Sequence, residues 1–231
     1  MTPKRTSSYI SRTAVISLLL VLAAIPALAQ TKKTARQTDA DTVALFRGVA
    51  VSADIVGLAQ KAFSDYGQYE AALRVNLRDK YFPVFEVGYG TADADDPSTR
   101  LTYKTSAPYA RVGIDCNIAR NKHDDYRIYV GVRYALTYYK FDVAGAGIKD
   151  PVWGDDVAYE ARGVKANSHW AEGVFGVDAK IAGPLRLGWS LRYRRHLFGD
   201  DGSLGNTWYV PGYGKQGGSR LGGTFNVIFE L

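Results

Sequence analysis

Residues 185–197 read Leu-Arg-Leu-Gly-Trp-Ser-Leu-Arg-Tyr-Arg-Arg-His-Leu, and this stretch decides the fold. Its odd-numbered positions are apolar except Arg195, whereas its even-numbered positions carry arginine, glycine, serine or histidine. Because neighbouring side chains of a β-strand point to opposite faces, the alternation predicts a strand with one apolar and one charged face. The stretch is also long for a strand of a soluble domain. The two faces must therefore meet different surroundings.

The same alternation predicts eight strands in all. They cover residues 47–56, 69–77, 81–90, 102–118, 126–139, 168–181, 185–197 and 220–231. Short links join the second strand to the third, the fourth to the fifth and the sixth to the seventh. The other links, near 57–68, 91–101, 140–167 and 199–219, are long. An even strand number with short links at one end and long links at the other is typical of bacterial outer-membrane barrels.

The predicted fold is therefore all-β: an eight-stranded antiparallel up-and-down transmembrane β-barrel. Its short turns and both termini would be periplasmic, and its four long loops would lie outside the cell. A soluble, lipocalin-like barrel with the apolar face turned inward is the alternative.

Charged residues on the polar face predict a filled lumen. The acids and bases on this face nearly balance, and all the bases are arginines except Lys180. Enclosed ion pairs favour the planar guanidinium, and eight strands leave room only for side chains, so no open pore is expected. The predicted lumen charge network consists of Asp54, Glu70, Arg74, Glu86, Arg111, Asp115, Arg127, Arg133, Glu172, Asp178, Arg186, Arg192, Arg194 and Glu230.

The amino terminus has the pattern of a secretory signal peptide. Basic residues precede an apolar run at 14–25, and Ala27-Leu28-Ala29 supplies small residues for cleavage. The expected organisation is a signal peptide at 1–29, a polar leader at 30–46 and the outer-membrane barrel at 47–231. After residue 29, no apolar run reaches the length of a transmembrane helix.

Composition argues against several other classes of protein. The pI of 9.3 is partly a property of the first 29 residues, whose removal lowers the net charge from +6 to +3, so a nucleic-acid partner is not expected. Cys116 is the only cysteine, which excludes an internal disulfide. No cofactor is expected. The acidic run 93–96 lacks the glycine and distal glutamate of a calcium loop, so it is interpreted as an exposed acidic loop and no metal site is predicted.

Two histidines are candidates for catalysis, because barrel enzymes that cleave or transfer lipid acyl chains need a base near a nucleophile. Strand parity places His169 on the lipid side and His196 on the lumen side, so the two rings do not converge. No catalytic residue is predicted.

The long loops are the candidate recognition elements, since a rigid barrel carries its binding residues there. The hypothesis of glycan or peptide binding rests on aromatic and basic loop residues, namely Trp153, Trp208, Tyr209, Tyr213 and Lys215. The alternative is that these aromatic side chains pack as a cap over the barrel mouth.

Four blocks, at 64–74, 105–109, 150–154 and 205–217, resemble a Bacteroidetes family of small exported barrels that is labelled only as a domain of unknown function. This resemblance implies an outer-membrane location and no assigned activity. The final strand, with Phe225, Val227 and Phe229, is similar to the carboxy-terminal signal that the barrel-assembly machinery reads, although it ends in Leu231 rather than the common phenylalanine.

The predicted function is that of an integral outer-membrane β-barrel protein with no assigned activity, structural or surface-recognising rather than catalytic. Its expected partners are outer-membrane lipid and lipopolysaccharide, the barrel-assembly machinery and an extracellular glycan or peptide. A lipid-modifying barrel enzyme, a narrow channel and a soluble ligand-binding barrel stay open as alternatives.

Overall fold

The computed structural model describes residues 44–96, 100–149 and 156–231. Eight long strands form the main sheet: β1 (Phe46–Asp54), β2 (Tyr66–Leu77), β3 (Tyr81–Asp96), β4 (Leu101–Asn117), β5 (Tyr126–Lys149), β6 (Asp156–Ala182), β7 (Leu185–Asp200) and β10 (Ser219–Glu230). Helix α1 (Ile55–Phe63) follows β1. Between β7 and β10 lie a 3-10 turn (Gly202–Leu204) and a small hairpin of β8 (Tyr209–Val210) and β9 (Gly214–Lys215).

Strand pairing follows an up-and-down order and closes on itself. β1 pairs with β2 on one side and with β10 on the other, and every pair around the ring is antiparallel. The prediction of an all-β, eight-stranded antiparallel fold is confirmed. Among the described residues, no helix is long and apolar enough to cross a membrane.

Through the middle of the barrel, charged side chains point inward and apolar side chains point outward. Arg111 and Asp115 of β4 are almost fully buried, whereas Val112 between them is 56% exposed. On β5, Arg133 is buried beside Val132, which is 62% exposed. This arrangement is the reverse of a soluble barrel, in which the apolar face fills the centre.

Towards one end of the barrel, the polarity reverses without any change in strand parity. On β5, Tyr139 and Phe141 point inward and are buried, while Lys140 between them is exposed. We call this end the collar (residues 90–96, 101–109, 139–149 and 156–170). Its buried apolar side chains form one cluster with residues of the loop 201–218, which we call the cap loop.

The collar corrects the predicted strand lengths. The expected loops at 91–101 and 140–167 are mostly strand, because β3 with β4 and β5 with β6 continue their pairing beyond the apolar band. The acidic run 93–96 accordingly belongs to β3 and not to a loop. Apolar side chains switch to the inner face there, so a search for one continuous apolar face ends each strand too early.

The first long link was also predicted wrongly. β1 ends at Asp54 rather than at residue 56, and the next residues form α1. Asp54 caps the helix, since its side chain accepts hydrogen bonds from the backbone N–H groups of Val56 and Gly57. The predicted signal peptide at 1–29 and nearly all of the leader at 30–46 lie outside the described residues.

At the opposite end, which we call the turn end, Asp79 connects the short turns. Its carboxylate contacts Arg47 Nε at 3.2 Å and His123 Nδ1 at 2.6 Å, and it accepts a hydrogen bond from Asn76 Nδ2 at 2.6 Å. Its backbone carbonyl accepts a hydrogen bond from Asn117 Nδ2. Burial alone would raise the pKa of Asp79, but Asn76, His123 and Arg47 outweigh burial and lower this pKa below its ordinary value of 3.8.

Replacing Asp79 by asparagine is expected to destabilise the barrel in a pH-dependent way. A lowered folded-state pKa gives stability that is present above pH ~4 and is lost as the pH falls through that pKa. Asp79→Asn should therefore lower the free energy of unfolding by about 1 kcal/mol at pH 7, and by less at pH 3. Urea unfolding of the purified, folded barrel measures both values. The exposed Asp95 offers the control, Asp95→Asn, and an equal loss at both pH values would contradict the assignment.

Candidate functional site

Glu86 is the centre of the charge network in the lumen. Its carboxylate is buried and contacts three guanidiniums: Arg192 at 2.8 Å, Arg133 at 3.2 Å and Arg111 at 3.3 Å. These residues come from four strands, β3, β4, β5 and β7. One acid therefore joins opposite parts of the barrel wall through side chains alone.

A second acid, Glu70, shares two of these arginines. It is bonded to Arg111, lies 3.1 Å from Arg192 and accepts a hydrogen bond from Tyr109 Oη at 2.7 Å. Glu172 lies 2.9 Å from Arg111 and accepts a hydrogen bond from Trp170 Nε1. Glu70 thus has more than one donor, and Glu172 combines one hydrogen bond with a nearby guanidinium; such partners offset part of the desolvation cost of a buried charge.

Nearer the turn end, aspartates replace glutamates. Asp115 accepts two hydrogen bonds from Arg133, at 2.7 Å and 2.9 Å, in the bidentate geometry that a guanidinium favours. Asp178 contacts Arg186 at 2.7 Å and Arg74 at 3.0 Å.

Aromatic rings and the last strand close the network at the turn end. The guanidiniums of Arg127 and Arg74 lie 5.1 Å and 6.0 Å from the ring centre of Phe82, which is itself buried. Arg127 also contacts Glu230 at 2.7 Å.

Two residues that strand parity assigned to the lumen have other positions. Asp54 is buried, but it accepts hydrogen bonds from backbone N–H groups, including Phe225 of β10 at 3.1 Å. It therefore fastens the end of β1 and does not join the arginines. Lys180, near the end of β6, is exposed although it pairs with Arg186, whose side chain is buried.

Lumen arginines also hold the cap loop. Arg111 Nη2 donates a hydrogen bond to the backbone carbonyl of Gly212 at 2.7 Å, and Arg194 Nη1 donates one to the carbonyl of Tyr213 at 2.8 Å. Gly212 has a φ of 81° and lies directly on the ring of Tyr109, where a Cβ would be only 2.5 Å from the ring. The cap loop is thus part of the barrel interior.

The structure divides the predicted ligand-binding residues. Tyr209 and Tyr213 are buried in the collar cluster, so their side chains pack the cap. Trp208 and Lys215 are half-buried, and Lys215 Nζ lies 5.0 Å from the ring centre of Trp208. Trp153 lies outside the described residues.

Trp208 and Lys215 line a cleft of about 1120 Å³ between the cap loop and the collar, which we call the collar cleft. Its other lining residues include Tyr103, His196, Asp201 and Thr207. Tyr103 Oη lies 2.5 Å from Thr207 Oγ1 and donates a hydrogen bond to the carbonyl of Tyr209, so the floor of the cleft is held by buried contacts. Sequence analysis missed Tyr103 and Thr207, although extending the parity of β4 would have placed Tyr103 on the inner face.

The two histidines lie on opposite faces of the sheet. His169 stacks on Phe198 with ring centres 4.6 Å apart and bonds to Tyr134 Oη, both on the outer face. His196 packs against Tyr213 of the cap loop. Among the described residues, no group of histidine, cysteine and acidic side chains could hold a metal ion.

Neutralising Glu86 is expected to destabilise the barrel strongly. Glu86→Gln keeps the volume but leaves three buried arginines short of a counter-charge, and breaking such a buried group costs about 3–5 kcal/mol. The control is Glu160→Gln, which removes an exposed pair with Arg162 and should cost no more than about 1 kcal/mol. Urea unfolding of the purified, folded barrel compares the two variants. Similar small losses in both would contradict the central position of Glu86.

Comparisons with known proteins give one family and one similar solved structure. The chain is similar to the N-terminal β-barrel domain of OprF from Pseudomonas aeruginosa, at 11% identity and a TM-score of 0.35, over 80% of this chain and 99% of that one. Comparison with curated proteins finds no match. A family model described as "Domain of unknown function (DUF6048)" matches residues 11–230, and the chain therefore belongs to this family.

Proposed function

We propose that this protein is an integral outer-membrane barrel that does not conduct ions, and that it serves as a scaffold and recognition surface rather than as an enzyme. The observation that carries this proposal is the reversal of polarity along single strands. On β4, the outward residues change from Val112 and Ile114 to Ser106, Lys104 and Thr102 while the parity of the strand is unchanged. Such a change is expected where the wall passes from hydrocarbon into water.

Aromatic residues mark the boundary that the proposal requires. Tyr69, Tyr89, Tyr138 and Tyr193 are outward-facing and between 44% and 65% exposed, near the level at which polarity reverses. Tyrosines at this level match the interfacial girdle of membrane barrels. The collar would then stand in the extracellular space, and the turn end with both termini would face the periplasm.

Lipid and lipopolysaccharide are the proposed partners of the apolar band, and the barrel-assembly machinery is the proposed partner of β10. Phe225 and Phe229 on this strand face outward, where the assembly machinery could contact them. The filled lumen and the cap loop support a barrel without a conducting pathway. The separation of His169 from His196 supports a non-catalytic function.

A second candidate function, recognition of an extracellular glycan, is favoured by the collar cleft. The cleft offers the half-buried indole of Trp208, together with amide and carboxylate groups from Asn206 and Asp201. An aromatic face surrounded by convergent polar groups suits a sugar ring.

The membrane location is tested by a charge on the apolar band. Val132→Arg is expected to lower the free energy of unfolding in bilayers by about 2–4 kcal/mol, because arginine is costly near the middle of the hydrocarbon. Ser106→Arg, on the outward face towards the collar, should cost about 1 kcal/mol or less. Urea unfolding in liposomes measures both. If the apolar band faced water, Val132→Arg would change the free energy of unfolding by no more than ~0.5 kcal/mol, and this result would contradict the proposed membrane location.

Glycan recognition is tested with a glycan array and detergent-purified protein. Trp208→Ala should reduce retention on any bound glycan about tenfold or more, the effect of losing roughly 1.4 kcal/mol of contact. Tyr159→Ala, which removes an exposed aromatic outside the cleft lining, should leave retention unchanged. Heat-dependent gel migration verifies that each barrel is folded. No retention by the unsubstituted protein, or equal retention by both variants, would exclude the cleft as a glycan site.

A further inference from the structure

The barrel wall has a gap in its strand pairing beside α1. β1 pairs with β10 only as far as Asp54↔Asn226, whereas β10 extends back to Ser219. β1 pairs with β2 only as far as Ala53↔Ala71, whereas β2 begins at Tyr66. Residues 66–70 of β2 and 219–225 of β10 therefore face each other without a strand between them. At ~3.3 Å per residue, this seam is roughly 17–23 Å high.

Asp54 forms the bottom of the seam. Its carboxylate is 2% exposed and accepts hydrogen bonds from three backbone N–H groups: Val56 at 3.0 Å, Gly57 at 3.1 Å and Phe225 at 3.1 Å. The same side chain thus ends the pairing of β1 with β10, starts α1 and keeps the helix at the edge of β10. Sequence alone gives no reason for a strand to stop here, since Ile55 and Val56 are both good strand formers.

Helix α1 lies in the position of the missing strand. It contacts both β2 and β10, the two strands that border the seam. Its backbone is in direct contact with β2, because a Cβ on Gly67 would lie only 2.4 Å from the N and Cα atoms of Lys61. A Cβ on Gly57 would lie only 2.6 Å from the backbone carbonyl oxygen of Gln68. The two glycines allow a helix to replace a strand in the wall.

Most of the other residues of α1 are exposed and apolar. Ile55, Val56 and Leu58 are each more than 40% exposed, and Phe63 is 90% exposed. Gly57 is the only buried residue of the helix, and Lys61 is its only charged one. An apolar surface of this kind is costly in water and needs a partner.

Neighbouring residues indicate which partner fits. The strands beside the seam carry outward apolar side chains at the same height, including Tyr69 on β2, and Leu221 and Phe225 on β10. The exposed side of α1 thus continues the apolar band of the barrel towards the collar, since Lys61 lies against Gly67, whose strand partner Thr91 belongs to the collar. A protein partner would need to meet a convex surface of helix and strand side chains, whereas acyl chains adapt to it.

We propose that α1 is a lipid-binding wall segment, which contacts the acyl chains of the outer leaflet through Leu58 and Phe63 and seals the seam between β2 and β10. This inference rests on the proposed membrane location. Helices with an apolar face and few charges bind in this way at the boundary of headgroups and acyl chains.

Site-directed fluorescence quenching tests the proposal in the full-length barrel. Cys116 is first replaced by serine, and a bimane label is placed singly at residue 58, 61, 63, 132 or 203 through the substitutions Leu58→Cys, Lys61→Cys, Phe63→Cys, Val132→Cys and Ser203→Cys. Each protein is reconstituted in phosphatidylcholine vesicles with or without brominated acyl chains, and aqueous iodide is the second quencher. Heat-dependent gel migration verifies that every labelled barrel is folded.

Labels at residues 58 and 63 should be quenched by brominated lipid about twofold or more over the label at residue 61, which faces Gly67 of the wall. The label at residue 132 reports the membrane location itself, and the label at the exposed Ser203 should respond to iodide alone. If residue 132 shows no lipid quenching, the proposed location fails. If residue 132 is quenched but residues 58 and 63 are not, the location holds and the lipid-binding function of α1 is overturned. Protection from iodide without lipid quenching at these two positions would mean that protein covers the helix, and it overturns the proposal equally.

Discussion

The barrel depends on the neutralisation of charge inside its lumen. Removing an ion from water costs several kcal/mol even after the protein relaxes, and this cost is offset only when each charge has several well-placed partners. Glu86 meets that condition with Arg111, Arg133 and Arg192, and Glu70 shares two of the three. A lysine would be a poor replacement for these arginines, because its three donors share one nitrogen, whereas a guanidinium spreads five donors over a rigid plane and reaches carboxylates on different strands. The network therefore determines which residue types the inner face can carry.

The same network connects the middle of the barrel to the collar. Arg111 binds Glu70 and Glu86 on one side and the carbonyl of Gly212 on the other, while Arg194 binds the carbonyl of Tyr213. The cap loop is thus positioned by the charges below it as well as by the aromatic cluster around it. The floor of the collar cleft is held in place by the same contacts, since Tyr103 donates a hydrogen bond to the carbonyl of Tyr209 in the cap loop.

The sequence pattern predicted the number of strands and the two faces correctly. Side chains alternate strictly between the faces of a strand, so a shift of one residue would place arginines such as Arg111 on the outside, and only one assignment keeps them inside. It failed where a second rule competes with parity. Lys140 and Phe141 alternate as regularly as Arg133 and Val132, but with inside and outside exchanged, so a search for one apolar face ended the strands at the collar. For Tyr209 and Tyr213 no local pattern exists, since an aromatic residue in a glycine-rich loop packs inward or stays exposed according to tertiary contacts alone.

The lumen is blocked at both ends, and the positions of these two blocks determine where a partner can bind. At the turn end, the guanidiniums of Arg74 and Arg127 lie over the buried ring of Phe82, and at the collar end Tyr209 and Tyr213 fill the mouth. Passage along the axis would require at least one of these groups to leave a contact that also neutralises or buries it. Binding at the collar cleft or along α1 requires no such loss, because both surfaces are already accessible. The physical cost of opening the lumen is therefore consistent with the proposed recognition at the rim and the proposed lipid contact in the wall, neither of which requires passage through the centre.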